Sequence, residues 1–131
     1  ALNGVPCGAV DCAGEHIFPL DEITYRIQQT VPTSDFEDLQ LADFLPQAVF
    51  DAREMTTFDG TGGASATTPP AGTAKYGPND TTVGIIAEPG IITEATLVNN
   101  TVIFDYGTNA DDTNTLLEID ILFTVTVLSA P

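Results

Sequence analysis

The sequence predicts an all-β fold, a two-sheet β-sandwich of about seven strands, on three observations. Leu116 to Leu128, LLEIDILFTVTVL, alternates apolar and mixed residues with a period of two, the repeat of a long strand with one face in a core. Shorter stretches upstream repeat that alternation, separated by turn-forming residues. No stretch carries a clear helical period. With 131 residues and 43% hydrophobic content, one domain with a real core is expected.

Taken in order, residues 1–20 are rich in Gly, Ala and Pro and show no period, so they read as an amino-terminal extension to a sandwich spanning 21–131. They carry both cysteines, Cys7 and Cys12. A lone C-x₄-C pair lacks the further ligands of a zinc site and the C-x-x-C redox spacing. A local disulfide is expected, and with it an oxidising, extracellular or cell-surface location. Ile23, Tyr25 and Ile27 share one face of a first strand, and Val31 to Asp35 supplies turn formers. Phe36 to Leu45 reads as a second strand, ended at Leu45-Pro46 because proline has no N–H for a ladder.

Ala48 to Met55 is expected to form another strand. Thr56 to Asp80, dominated by Gly, Thr, Ala and Pro, reads as one long loop, either functional or an excursion from the domain. Val83 to Ala87 reads as a short buried strand, followed by a Glu88-Pro89-Gly90 turn. Thr96 to Tyr106 has the pattern of a hairpin, with Asn99-Asn100 suited to positive φ and Val102, Phe104 and Tyr106 facing inward. After the polar stretch 109–115 comes the final strand, with Leu117, Ile119, Ile121, Phe123, Val125 and Val127 on the core face. Leu116, Leu122 and Leu128 stand among polar residues on its other face. That face is expected to be partly covered by the long loop, the extension or a neighbouring subunit.

Nineteen acidic residues stand against three basic ones, for a net charge of −16. Such a chain offers no basic surface for nucleic acid. It is repelled by anionic membranes, and no apolar run approaches the roughly 18–20 residues of a spanning helix. The acidity suits a solvated surface in salty water, calcium binding, or both. Asp105, Asn109, Asp111, Asp112 and Asn114, beside Gly107, form a candidate calcium turn, and Asp35, Glu37 and Asp38 form a fainter cluster. Calcium takes six to eight oxygens on a flexible turn, but this spacing is not that of an EF-hand loop. The other reading of the same residues is a solvated turn in which Asp and Asn supply only backbone geometry. No further cofactor is expected.

Two segments, ITYRIQQTVPTSDFEDLQLADFLPQAVFDA (23–52) and NNTVIFDYGTNADDTNTLLEIDILFTVTVL (99–128), together about half the chain, carry a resemblance. The first resembles the opening Y-x-I strand, polar turn, Asp-ended strand and Leu-Pro of DUF11-like and isopeptide-type repeat domains of bacterial surface proteins. The second resembles their closing hairpin. The resemblance implies an immunoglobulin-like sandwich, strung in tandem within adhesins, stalks or envelope proteins. This chain departs from the pattern in its Pro19-Leu20-Asp21-Glu22 lead-in, where relatives carry Pro-Gly-Asp, and in the Cys-bearing extension and the 56–80 segment.

Some such domains join a Lys to an Asn or Asp. Here the single lysine, Lys75, falls in the expected loop, and Arg26 on the first strand stays protonated and cannot replace it. No internal isopeptide is expected. His16 is the only histidine, and no nucleophile elbow or Cys–His pairing is evident, so no enzyme is expected either. The expected function is a structural module of an extracellular surface protein: an adhesin stalk, spacer or filament subunit, with calcium as a candidate stabiliser. Its partners would be neighbouring copies or domains, reached by strand addition of residues 1–20 to a sheet edge. The alternative is a carbohydrate- or surface-ligand-binding module. With no Trp and only Tyr25, Tyr76 and Tyr106, that alternative leans on Tyr76 in the 56–80 loop.

Overall fold

The computed structural model describes residues 1–5, 16–31, 36–46, 49–60, 67–96, 99–109 and 116–129. Among the described residues seven strands form: β1 (Glu22–Val31), β2 (Phe36–Phe44), β3 (Thr57–Asp59), β4 (Thr73–Tyr76), β5 (Gly90–Ala95), β6 (Asn100–Asn109) and β7 (Leu117–Thr126). They make two sheets, ordered β1-β7-β4-β3 and β2-β6-β5. The expected seven-stranded, two-sheet sandwich is therefore the fold. One pair, β3–β4, is parallel, where immunoglobulin sheets are antiparallel.

β7 lies between β1 and β4, which explains its unusual burial. Leu117, Ile119, Ile121, Phe123, Val125 and Val127 are all buried, as their alternation predicts. β1 pairs with β7 without a break from Glu22↔Thr126 to Val31↔Leu117. Across the sandwich, Phe104 of β6 and Phe123 of β7 are fully buried with ring centroids 5.6 Å apart. Tyr25 stacks on Phe123 at 5.4 Å and meets Phe50 edge-on at 5.9 Å. Phe58 packs edge-on against Tyr76 at 4.9 Å. Offset and edge-on aromatic pairs of this kind add to the stabilisation that burial alone supplies.

Four local expectations are corrected. Ala48 to Met55 gives no strand; Ala52–Glu54 is a single 3₁₀ turn capped by the Asp51 side chain, which accepts the Arg53 N–H. The Asn100 side chain holds that turn, taking the Ala52 N–H at 2.9 Å and donating to the Phe50 carbonyl at 2.8 Å. With those backbone groups satisfied locally, no ladder is needed. The 56–80 segment is not one loop, because it contains β3 and β4. Strands of three and four residues are too short for a period to register in sequence, and their partners are distant.

Val83 to Ala87 is a turn, with the Ile85 and Ile86 N–H groups both donating to the Thr82 carbonyl. Finally, the hairpin begins earlier than expected, as β5, and its tip does not use positive φ at Asn99 or Asn100. Thr96 closes the tip instead: its N–H donates to the Asn99 carbonyl at 2.7 Å and its hydroxyl accepts the Asn99 N–H at 3.0 Å.

The described part of the extension lies along β1 of its own domain. Ala1 and Thr24 exchange backbone hydrogen bonds, at 3.0 Å from the terminal ammonium and 2.8 Å to the Ala1 carbonyl. The Asn3 N–H donates to the Glu22 carbonyl, and the Asn3 side chain accepts the Glu22 N–H at 2.7 Å. Phe18 to Asp21 forms a turn entering β1, closed from Asp21 N–H to Phe18 carbonyl, with Leu20 at φ 71°.

Candidate functional site

Asp120 stands mid-strand in β7 at a position that the alternation assigns to the wetter face, yet it is fully buried. A carboxylate is tolerated there only when its charge and lone pairs are matched. Arg26, on the neighbouring strand β1, supplies both: its Nε donates to Oδ1 at 2.8 Å and its Nη2 to Oδ2 at 2.6 Å. Register places Gln28 opposite Asp120, so Arg26 reaches it diagonally, within range for a long side chain. A forked, charge-assisted pair is among the stronger protein hydrogen-bonding arrangements. The contact with Asp120 raises the Arg26 pKa above the ordinary arginine value.

The third donor to Asp120 comes from beyond β4. That strand ends at Tyr76, and the Gly77 N–H donates to the Asp120 carbonyl at 2.7 Å. The chain then folds over the carboxylate, and the Asn79 N–H donates to Oδ2 at 2.9 Å. Asp80 completes the attachment. Its Oδ2 accepts the Asp120 N–H at 2.9 Å, while Oδ1 accepts the Thr82 N–H and hydroxyl at 2.7 and 2.6 Å. One step along, the Thr81 N–H donates to the Glu118 carbonyl and the Thr81 hydroxyl accepts the Glu118 N–H. Segment 77–82 thus continues the β4 ladder along β7 after regular strand geometry has ended. Both buried carboxylates are filled by protein donors, and together they clamp β1, β7 and 77–82.

Beside this clamp, Tyr76 and Tyr106 are buried. Burial, then the charges of Asp80 and Glu88, push the Tyr76 phenol up to about 12. Burial, then Asp80 and Tyr76, push Tyr106 far above an ordinary tyrosine. Both therefore stay neutral at physiological pH. Lys75 lies on β4, not in a loop, and its ammonium donates to the Thr67 hydroxyl at 2.5 Å.

Compared with family models, curated proteins and solved structures, the chain matches none. The site therefore stands on its own geometry.

Of the candidate calcium ligands, Asp105 is described: it is half-buried, and its Oδ1 accepts the Gly107 N–H at 2.9 Å. Asn109 ends β6, but its side chain is outside the described residues, as are Asp111, Asp112 and Asn114. Cys7, Cys12, Asp35 and the side chains of Glu37 and Asp38 also lie outside them. Among the described residues, no group of three or more His, Cys, Asp or Glu is placed to hold a metal. Sequence reasoning weighed Arg26 only as a substitute for lysine and passed over its partner Asp120 and the supporting Asp80. The available signal was an acid amid the apolar run of a central strand, in a chain with only three cations.

Proposed function

We propose that this chain is a structural module of an extracellular surface protein, acting as a spacer, an adhesin stalk segment or a filament subunit. The observation that carries this reading is the Asp120 clamp, in which buried polar chemistry is directed at joining β1, β7 and segment 77–82. The resemblance to DUF11-like and isopeptide-type repeats points the same way, and a net charge of −16 keeps such a module solvated.

Protease shaving of intact source cells tests the reading. Peptides of this chain among those released support it; recovery only after lysis overturns it. Within the same proposal, calcium is held by Asp105 and Asn109 of β6 together with Asp111, Asp112 and Asn114. A ligand held only by the folded state raises the melting midpoint, so millimolar calcium raises it and chelator reverses the rise. An unchanged midpoint removes calcium and leaves the module reading standing. The carbohydrate reading loses its support, because Tyr76 is 3% exposed and packs edge-on against Phe58, leaving no face for a sugar.

A further inference from the structure

We propose that Asn3-Gly4 is a self-modifying site, at which Asn3 converts to aspartate and isoaspartate and so unfastens residues 1–5 from β1. The modification goes beyond the surface-module reading and does not depend on it.

Asn3 is the single asparagine in the chain that is followed by glycine. The pair forms the tip of a hairpin in which Leu2 and Val5 exchange backbone hydrogen bonds at 2.9 and 3.0 Å. Both tip residues have positive φ, 51° for Asn3 and 78° for Gly4. That is the arrangement of a type I′ turn, and it explains why Asn-Gly stands here. The tip is exposed. A β-carbon on Gly4 would meet nothing within 4 Å, and among the described residues no acceptor takes the Gly4 N–H.

An open, unpartnered N–H next to a side-chain amide is what intramolecular attack needs. Solvent base removes the Gly4 amide proton, and the nitrogen, uncrowded by a side chain, bonds to Asn3 Cγ. Open space around Gly4 leaves room for the rotation that brings the two together. Negative charge gathers on Oδ1, which already accepts the Glu22 N–H at 2.7 Å, a donor placed to stabilise it. The Cγ–Nδ2 bond breaks, and ammonia leaves with a proton from water as a cyclic imide closes. Water then opens the imide at either carbonyl. One opening gives aspartate; the other gives isoaspartate, in which the main chain runs through Cγ. One water is consumed and one ammonia released, with nothing oxidised or reduced.

Asn3 is also what fastens this hairpin to the sandwich. Its N–H donates to the Glu22 carbonyl at 2.6 Å, its Oδ1 accepts the Glu22 N–H, and its Nδ2 donates to Asp21 Oδ1 at 3.1 Å. The Asn3 amide, and after it the Phe18 N–H, hold the Asp21 carboxyl below the usual carboxylate range. Asp21 is therefore charged at neutral pH. Aspartate at position 3 loses the donor and sets a second carboxylate against the first. Isoaspartate lengthens the main chain by a methylene, so Leu2 and Val5 lose their match. Either product loosens the contacts beyond Asn3, namely the Leu2–Ile23 bridge and the Thr24 N–H donated to the Ala1 carbonyl at 2.8 Å.

Ageing the purified chain at neutral and mildly alkaline pH, with peptide mapping and enzymatic detection of isoaspartate, tests the site. Conversion is expected at Asn3 ahead of every other asparagine, and faster at the higher pH. Amide exchange at Thr24 should quicken by at least about tenfold in the converted fraction, while the core amides of β7 keep their protection. Asn3→Asp reproduces the charged product directly and should give the same Thr24 exchange. Combining it with Asp21→Asn again sets one amide against one carboxylate, and should restore protection.

Conversion at Asn3 no faster than at the other asparagines overturns the proposal. So does unchanged Thr24 exchange in the converted chain or in a folded Asn3→Asp variant. If that variant does not fold, the aged parent chain supplies the same readout.

Discussion

Gly77 lies directly against the Asp120 carboxylate: a β-carbon at position 77 would fall 2.5 Å from Asp120 Cγ and 2.7 Å from Oδ2. This glycine is required by closeness rather than by backbone dihedral, since segment 77–82 can cross the carboxylate only where no side chain intervenes. Gly77→Ala must push the segment off β7 or displace Asp120 from Arg26. A loss of about 2–4 kcal/mol is expected, read as a fall in melting temperature on the order of 10 °C. A melt within 2 °C or so of the parent would show that the crossing is looser than it looks.

Removing Arg26 leaves the Asp120 carboxylate buried with the Asn79 N–H as its remaining donor among the described residues. Breaking such a pair from one side costs about 3–5 kcal/mol when both partners are buried. The Arg26 side chain is 38% exposed, so solvent screening lowers the expectation for Arg26→Met to about 2–3 kcal/mol in urea unfolding. Arg26→Lys keeps the charge and loses the fork, and should fall between. Adding Asp120→Asn to Arg26→Met should recover part of the loss, because a neutral amide needs no counter-ion. A double variant weaker than the sum of its parts would refute a charge-based clamp.

Much of this architecture was legible in the sequence, and the misses share causes. β1 and β7 are ten residues each, long enough for alternation to be read, and the core face of β7 was assigned residue by residue. β3 and β4 escaped because the period of a short strand is invisible and their pairing is parallel and non-local. The 3₁₀ turn at Ala52–Glu54 escaped because Asn100, distant in sequence, decides it. Alternation alone puts Asp120 on the face of β7 turned away from the core, where only partial cover is expected, yet it is fully buried. Its burial depends on Arg26 and on a segment arriving after β4, which alternation along β7 cannot report.

Asp43 points toward the core from β2, opposite Val102, and burial raises its pKa above the ordinary aspartate value. Burial, then the Asp43 charge, also raises Tyr25. A folded-state pKa above the unfolded value of about 3.9 means that the native state prefers the protonated acid. The associated stability is present below about pH 4 and is lost as pH rises through the higher folded value. Asp43→Asn should therefore stabilise the protein at neutral pH, with the advantage shrinking to nothing on acidification below about pH 4. Paired melts across that range check it; a pH-independent difference would assign the effect to packing.

Leu20 occupies the left-handed region at φ 71° and is 67% exposed. A non-glycine residue there costs about 1–2 kcal/mol, and exposure returns little packing. Leu20→Gly relieves the strain while loosening the unfolded chain, for a net gain of roughly 0.5–1 kcal/mol. Chemical denaturation would register it as a higher midpoint with an unchanged slope. A loss of stability would mean that the Leu20 side chain does more for the turn than its exposure suggests.

The antiparallel match of β1 with β7 sets Glu22 beside Thr126, so the chain enters and leaves this pair at the same end. Tension applied through those two points would not shear the ladder. It would peel the strands apart one rung at a time, because ladder hydrogen bonds run perpendicular to the strands and load would reach them singly. A pair loaded this way yields at low force and lets out slack. Among the roles open to a surface module, the arrangement favours an extensible spacer or a side-by-side filament subunit over a strut that must stay folded under pull.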